Sequence, residues 1–371
     1  MVLSSISALV LLGVSLFQQP PWPPKYLKPM TLFFQIGQVY AFSNRLPYGN
    51  YGFFIARLTM SMRCSEEHDE AERIRQLAKE SMEVGEKIFF GDVFGPLKIL
   101  AFWLYGKKAI NVTLKFDAIL EKVLKQHEES RQKENKDLMD ILLKVYQDDK
   151  VEFKINRTHL KAFLLDLFLA GTSTSSEAIQ WTIAELINHP KSNIFNKVRE
   201  EIKSVVGSTR LVQESDVSSL PYLQAVVKEA LRLHPPIPVV VRETREDCKI
   251  KDFDIPEKTM VAINVYAIMR DAKIWNYPND FQPERFLISS KEKDGMEYIP
   301  FGAGRRGCPG SKLALSMIHT TIAAMIQCFD WKVGGKGDHA KVNMQVGPGI
   351  SMPMAQPLVC LPVVHFNPFT S

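Results

Sequence analysis

The 371-residue chain lacks the features of a disulfide-stapled or zinc-ribbon protein. Its five cysteines are odd in number, scattered and without a CxxC pair, which favours a reducing compartment. Internal repeats, low-complexity blocks and Gly/Ser linkers are also missing, so one large domain suits the length at least as well as two. The net charge is only +5 and no basic run is interleaved with aromatic residues, so we expect no nucleic-acid partner.

Charge is absent from the first 17 residues, MVLSSISALVLLGVSLF, which are mostly apolar. A cleaved signal peptide would carry a positive segment before such a run and a small-residue cleavage site after it, and this run has neither. The stretch QQPPWPPKYLKP that follows ends any helix there. We therefore predict an uncleaved membrane anchor over residues 1–17, a proline-rich hinge over 18–29 and a globular domain over 30–371, with a signal peptide as the alternative.

Hydrophobic periodicity predicts a mainly α-helical domain with small β-sheets. The longest pattern covers residues 159–188 and is nearly all apolar up to Ala170, so we expect a buried central helix. The stretch AGTSTSS in its middle is a poor helix former, and we predict a polar kink that faces a ligand, with a strained core turn as the alternative. Further helices are predicted over residues 66–85, 114–135, 222–233 and 311–328, and strands over 238–244, 248–256, 259–268, 331–335 and 358–364.

A glycine-rich loop, PFGAGRRGCPGS at residues 300–311, admits two interpretations. Its G-x-G-x-x-G spacing matches a dinucleotide-binding turn, which needs an apolar strand before the first glycine and an acid after a second strand. The preceding DGMEYIPF is not such a strand, and Asp330 comes before the WKV strand instead of at its end. Nucleotide binding is therefore the weaker interpretation.

The stronger interpretation is a metal-binding thiolate at Cys308. Pro309 suits the first position of the following helix, which would place Cys308 at a helix N-terminus. Unpaired N–H groups there, together with Arg305 and Arg306, favour an anion. A buried structural cysteine beside a tight turn is the alternative that spacing alone leaves open.

The loop resembles the haem-thiolate signature of the cytochromes P450, F-x-x-G-x-R-x-C-x-G. The matching residues are Phe301, Gly304, Arg306, Cys308 and Gly310. Glu229 and Arg232 resemble the E-x-x-R pair of that family, Arg285 in PERF is similar to the partner of that pair, and AGTSTS resembles the oxygen-activation stretch of the central helix. The likeness runs from about residue 55 to the end, and the sequence of these segments is most similar to that of plant microsomal members of flavonoid and isoflavonoid metabolism.

This resemblance implies the cytochrome P450 fold, with a long central helix and a C-terminal cysteine loop that binds haem b. Cys308 would be the iron ligand. The residues assigned to cofactor binding are Phe301, Gly304, Arg306, Gly310 and Arg242, with a plain surface arginine as the alternative for Arg242. The family also implies a buried charge network of Glu229, Arg232 and Arg285 that braces the cysteine loop.

On the oxygen side of the haem, the resemblance assigns Thr174 to orienting O2 and a water. Most members carry an acid just before this threonine, whereas this chain has Ser173, which cannot act as a charged proton relay. Glu177, a turn further on, is given no role. The substrate-facing candidates by family position are Phe168, Ala170, Val239, Val240, Ile350, Ser351 and Met352, a mainly apolar set that suits a lipophilic molecule.

The implied reaction inserts one atom of O2 into a flavonoid, isoflavonoid or triterpenoid. Since no flavin or nicotinamide motif is present, electrons would come from a separate NADPH-cytochrome P450 reductase docked near Arg305 and Lys312, with the enzyme on the endoplasmic reticulum membrane. The family's W-x-x-x-R helix is not found, and we treat W-x-x-x-K at 103–107 as chance. We therefore expect a truncated N-terminal part, and a haem-poor degenerate homologue or a haem isomerase or dehydratase of the same fold are the alternatives.

Overall fold

The computed structural model describes residues 68–93, 98–129, 138–148, 154–190, 193–288, 297–333 and 341–366. The predicted membrane anchor, the hinge and residues 30–67 of the predicted domain lie outside these stretches. Within them, no helix is both long and apolar enough to cross a bilayer. The chain divides into two compact units, one ending at Ser176 and the other beginning at Glu177.

Helices account for most of the described residues. They are α1 (His68–Val93), α2 (Lys98–Glu129), α3 (Leu138–Gln147), α4 (Arg157–Asn188), α5 (Ile194–Val206), α6 (Pro221–Leu233), α7 (Val265–Ile268), α8 (Arg285–Ile288) and α9 (Ser311–Cys328). In the same described stretches, 3-10 turns lie at Glu214–Ser219 and Gly304–Arg306. The predicted long central helix is α4, which is 32 residues long and helical throughout AGTSTSS.

The described part of the first unit is helical, and a core forms there where α1, α2, α3 and the first half of α4 bury apolar side chains against one another. Examples from each helix are Leu77, Phe116, Met139 and Leu164. At the edge of this core, Arg157 of α4 binds Glu121 of α2 at 2.9 Å and Glu128 at 2.7 Å. These ion pairs are partly exposed, so burial of the apolar side chains contributes most of the stability.

In its described residues, the second unit combines helices with three two-stranded antiparallel sheets. The pairs are β1 (Val239–Glu243) with β4 (Met260–Asn264), β2 (Cys248–Ile250) with β3 (Phe253–Ile255), and β5 (Phe329–Val333) with β6 (Cys360–Val364). The predicted class, mainly α with small β-sheets, is therefore confirmed.

The start of α6 shows how the helices of the second unit are fixed in place. Pro221 is its first residue, where a proline costs no hydrogen bond. The Glu201 carboxylate of α5 accepts the N–H groups of Tyr222 and Leu223 at 2.7 Å and 2.9 Å. These are donors that every helix start leaves open, and the helix dipole favours the negative charge there.

Several element boundaries differ from the sequence prediction. Residues 248–256 form a hairpin of β2 and β3 instead of one strand. α2 begins at Lys98, well before residue 114. The predicted strand over 259–268 is wrong beyond Asn264, because the Asn264 side chain accepts the N–H of Ala267 at 2.9 Å and starts α7. α9 begins at Ser311 with Gly310 as its N-cap. Pro309 is therefore not its first residue, and Cys308 lies before the start of the helix.

Candidate functional site

The cysteine loop folds back on itself around two glycines. Gly302 and Gly304 have φ angles of 71° and 66°, a left-handed conformation that side chains disfavour. This bend lets the N–H of Cys308 reach the carbonyl oxygen of Phe301 at 2.8 Å. A Cβ at Gly304 would meet nothing within 4 Å, so the loop leaves open space beside its backbone.

The side chain of Cys308 is the chemical centre of this loop. The residue is exposed, and its sulfur forms no disulfide. Nearby protein atoms still displace enough water to raise the pKa of the thiol, although a backbone hydrogen bond at Gly310 acts in the opposite direction. Because α9 begins only at Ser311, Cys308 is not at the first position of a helix, and its pKa is raised where the sequence predicts a lowered one.

Two arginines at the loop, Arg242 and Arg306, have no acidic partner among the described residues. Arg242, on β1, donates to the carbonyl oxygens of Val241 at 2.9 Å and of Arg306 at 3.2 Å. Burial and the charge of Arg306 both lower the pKa of Arg242. Among the described residues, neither guanidinium forms an ion pair, so two positive charges face the same neighbourhood uncompensated.

Glu229, Arg232 and Arg285 come together as one charge network. Arg232 donates to both carboxylate oxygens of Glu229, at 2.7 Å and 2.9 Å, and Arg285 donates to the same carboxylate at 3.0 Å. The side chains of Glu229 and Arg232 are 0% exposed. Arg232 also donates to the carbonyl oxygens of Met269 and Pro278, so its donors are used inside the protein.

Trp275 belongs to this network, and the sequence reasoning missed it. The guanidinium carbons of Arg232 and Arg285 lie 5.1 Å and 5.9 Å from its ring centroid, within range of cation–π attraction. No local sequence pattern identifies this tryptophan, because it lies in the loop after α7, where no helical or strand periodicity applies.

The Ser/Thr stretch of α4 keeps its helix by bonding hydroxyls back to the preceding turn. Thr174 Oγ1 donates to the carbonyl oxygen of Ala170 at 2.7 Å, and Ser176 Oγ donates to that of Ser173 at 2.7 Å. The predicted kink is therefore not a break in the helix. Within the described part of the chain, the buried hydroxyl of Ser173 has no hydrogen-bond partner.

The substrate-facing candidates lie in different environments. Phe168 is buried in the first unit's core with its ring 6.3 Å from that of Phe116, while Ala170 is exposed. In the second unit, Val239 is exposed, and Val240 and Ile350 are half-buried. Ser351 and Met352 are buried.

The hydroxyl of Ser351 donates to Glu177 Oε1 at 2.9 Å, and the backbone carbonyl of Met352 accepts from Trp181 Nε1 at 2.7 Å. The sequence reasoning gave Glu177 and Trp181 no role. Their spacing of four residues on one helix face was the available signal. Of the W-x-x-x-K segment, Trp103 lies on α2 and is 78% exposed.

Comparison with known proteins identifies the family and the fold. The profile of the family described as Cytochrome P450 matches residues 52–361. The chain belongs to the cytochrome P450 family. A P450 from zebrafish, solved with abiraterone, has the same fold, with a TM-score of 0.74 at 24% identity over 91% of this chain and 78% of that one.

Plant P450s are more similar in sequence. Cytochrome P450 705A5 of Arabidopsis thaliana is 50% identical over 83% of this chain and 61% of its own length. Two soybean (Glycine max) proteins, beta-amyrin 24-hydroxylase and 3,9-dihydroxypterocarpan 6A-monooxygenase, are 44% and 41% identical over 85% of this chain and 64% of theirs. This P450 thus spans less than two thirds of the length of these relatives. The predicted family, fold and haem b cofactor are confirmed.

Proposed function

We propose that this P450 is a haem-thiolate monooxygenase that inserts one atom of O2 into a lipophilic plant small molecule. The observation that carries the proposal is an exposed thiol at Cys308 beside two arginines, Arg242 and Arg306, that lack an acidic partner among the described residues. Haem b offers an iron that takes a thiolate ligand and two propionates that take guanidinium donors. The donor set and the open loop at Gly304 therefore fit this cofactor.

When bound, haem supplies the activation of O2, one atom of which enters the substrate while the other leaves as water. Cys308 would hold the iron as a thiolate, and Phe301 and Gly310 would shape the loop around the sulfur. Arg242 and Arg306 would orient the cofactor through its propionates.

Thr174 would hold a water near the reacting O2. Its hydroxyl hydrogen is already donated to Ala170, so its oxygen is left to accept a hydrogen bond from that water. Ser173 stands where an acid would supply protons, and a hydroxyl has no acidic proton to give at neutral pH. We therefore infer slow or uncoupled turnover, with part of the NADPH lost to peroxide.

The substrate class we infer is a fused-ring flavonoid, isoflavonoid or triterpenoid. It is supported by the names of the soybean relatives, which act on beta-amyrin and on a pterocarpan. Electrons would come from NADPH through a separate reductase that docks near the exposed Arg305 and Lys312. Residues 1–17 would anchor the enzyme in the endoplasmic reticulum membrane, with 18–29 as the hinge and 30–371 as the catalytic domain.

The test is the carbon-monoxide difference spectrum of the reduced full-length protein. We expect the thiolate band in the parent and its loss in Cys308→Ser. Cys248→Ser is the matched control, because Cys248 is also an exposed free thiol. A thiolate band that survives Cys308→Ser would falsify the assignment of the iron ligand, and a parent without bound haem would overturn the proposed activity.

A further inference from the structure

The C-terminal loop, defined as residues 345–355, closes on itself through its backbone. The N–H of Gly347 donates to the carbonyl oxygen of Pro353 at 2.8 Å, and the N–H of Ala355 donates to that of Gln345 at 2.8 Å. The two sides approach so closely that a Cβ at Gly347 would lie 3.3 Å from Cα of Ala355. The tip that these bonds define contains Ile350, a proposed substrate-facing residue.

One face of α4 holds this loop in place. The carboxylate of Glu177 accepts a hydrogen bond from the hydroxyl of Ser351 at 2.9 Å. Trp181 donates its indole N–H to the carbonyl oxygen of Met352 at 2.7 Å. Further along the helix, Asn188 exchanges two hydrogen bonds with the backbone of Val342. Met352 is also fixed from its other side, because its N–H donates to the carbonyl oxygen of Pro236 at 3.0 Å.

The orientation of Trp181 is itself set by buried neighbours. Its ring stacks on the imidazole of His234, with centroids 4.1 Å apart and planes 2° from parallel. His234 is held by Glu185, with Nε2 and Oε1 2.6 Å apart. Trp181 is 0% exposed and packs with Met354 of the loop. The indole N–H therefore points at Met352 with little freedom to turn away.

We propose that Glu177 and Trp181 are positioning residues for substrate specificity, which act by fixing the tip of the C-terminal loop. The inference rests on the proposed function, since it takes Ile350 as part of the substrate-binding wall. Both side chains are buried and bind the loop beside that residue. Loss of either hydrogen bond leaves a buried polar group unpaired, so the loop opens more often.

The first measurement needs no cofactor. Amide hydrogen exchange of Gly347, Met352 and Ala355 in the full-length chain should become on the order of 10-fold faster in Trp181→Phe, which keeps a ring against His234 but removes the donor. Trp331→Phe is the matched control, because Trp331 Nε1 has no hydrogen-bond partner in the described chain. Unchanged exchange in Trp181→Phe would overturn the proposal.

Glu177→Gln supplies the rescue test. The amide oxygen of glutamine can still accept from Ser351, so exchange should stay near the parent rate, whereas Glu177→Ala should accelerate it. Equal exchange rates in the Gln and Ala variants would show that the hydrogen bond to Ser351 does not hold the loop.

The second measurement reads specificity by haem spectroscopy. Imidazole and 4-phenylimidazole serve as probes, because the phenyl ring of the larger one reports the wall of the binding space. The ratio of their dissociation constants should change several-fold in Trp181→Phe and not in Trp331→Phe. Faster loop exchange with an unchanged ratio would rule out the specificity role. Absence of a haem spectrum in the parent would count against the proposed function instead, and the exchange rates would still decide whether the two residues position the loop.

Discussion

Two groups of arginines in the second unit differ in whether a carboxylate neutralises their charge. Arg232 and Arg285 share the carboxylate of Glu229, and the Glu229–Arg232 pair is 0% exposed. Arg242 and Arg306 have no such carboxylate among the described residues, and Arg242 turns to carbonyl oxygens instead. The charges of the first group are neutralised inside the protein, whereas those of the second are not neutralised by any described carboxylate.

This difference follows from the cost of removing charge from water. A guanidinium can be fully buried only where a carboxylate and carbonyls replace its hydration, as they do around Arg232. A guanidinium that binds an anionic ligand has to remain without a carboxylate partner until that ligand arrives. At Arg242, burial and the charge of Arg306 therefore lower the pKa without a counter-charge to raise it. If Arg242 and Arg306 bind the cofactor as we propose, stability and cofactor binding depend on different arginines.

The strongest test of the compensated group is Glu229→Ala. Two guanidinium groups would lose their counter-charge, at a cost of about 3–5 kcal/mol in the free energy of unfolding. We expect little soluble protein and no bound haem, measured by urea unfolding and haem absorbance. Glu246→Ala, at an exposed carboxylate, is the control and should change stability by less than about 0.5 kcal/mol. A Glu229→Ala protein that folds, takes up haem and is merely slow would contradict the structural role.

A second compensated carboxylate, Glu185, extends the comparison to pH. Burial would raise the pKa of Glu185, but hydrogen bonds from His189 and His234 outweigh it and lower the pKa to about 2. A lowered carboxyl pKa contributes stability above pH 4.5, which is lost as the pH falls from 4.5 towards 2.

We therefore expect the parent to lose about 2–3 kcal/mol more than Glu185→Gln across that range, measured by urea unfolding at each pH. Glu200→Gln, which removes an exposed carboxylate from α5, should follow the parent curve. Parallel curves for the parent and Glu185→Gln would show that the two histidines do not stabilise the charged carboxylate.

Arg242→Gln tests the uncompensated group. Removing one of two like charges should leave the unfolding free energy of the haem-free protein unchanged, or raise it by about 0.5 kcal/mol. Haem should be held about 10-fold less tightly, because a charge-assisted hydrogen bond to a propionate is lost. Transfer of haem to an acceptor protein measures this, with Arg245→Gln as the exposed control. Equal haem loss in both variants would make Arg242 an ordinary surface arginine.

The smallest effect concerns Ser173, whose buried hydroxyl has no hydrogen-bond partner among the described residues. Ser173→Asp introduces an acid that can pass a proton, so product formed per NADPH consumed should rise and peroxide should fall. Ser173→Asn, similar in shape but without an acidic proton, is the control, and Thr174→Ala should lower the yield further. Beta-amyrin and 3,9-dihydroxypterocarpan are the first substrates to screen. Equal yields from the Asp and Asn variants would mean that protons arrive by another route.

Much of this protein could be predicted from short-range pattern. Glu229 and Arg232 are three residues apart on α6, so helical geometry alone places them on one face. The long α4 and the strands β1, β4, β5 and β6 lie where the sequence pattern predicts them, since burial of one face imposes a repeat on the sequence, whereas the turn between β2 and β3 was not predicted. The spacing of glycines and arginines around Cys308 identified the cysteine loop, and the same spacing pointed to the family of the chain.

What only the tertiary structure decided depends on neighbours that are distant in the chain. Burial by surrounding atoms raises the pKa of Cys308, against the expectation from a helix end. Glu177 meets Ser351, and Trp181 meets both His234 and Met352, across separations that no local repeat encodes. Sequence pattern determines which face of an element is buried, but the partner that a buried polar group finds is set by packing of remote segments, because any nearby donor or acceptor of suitable geometry can satisfy it.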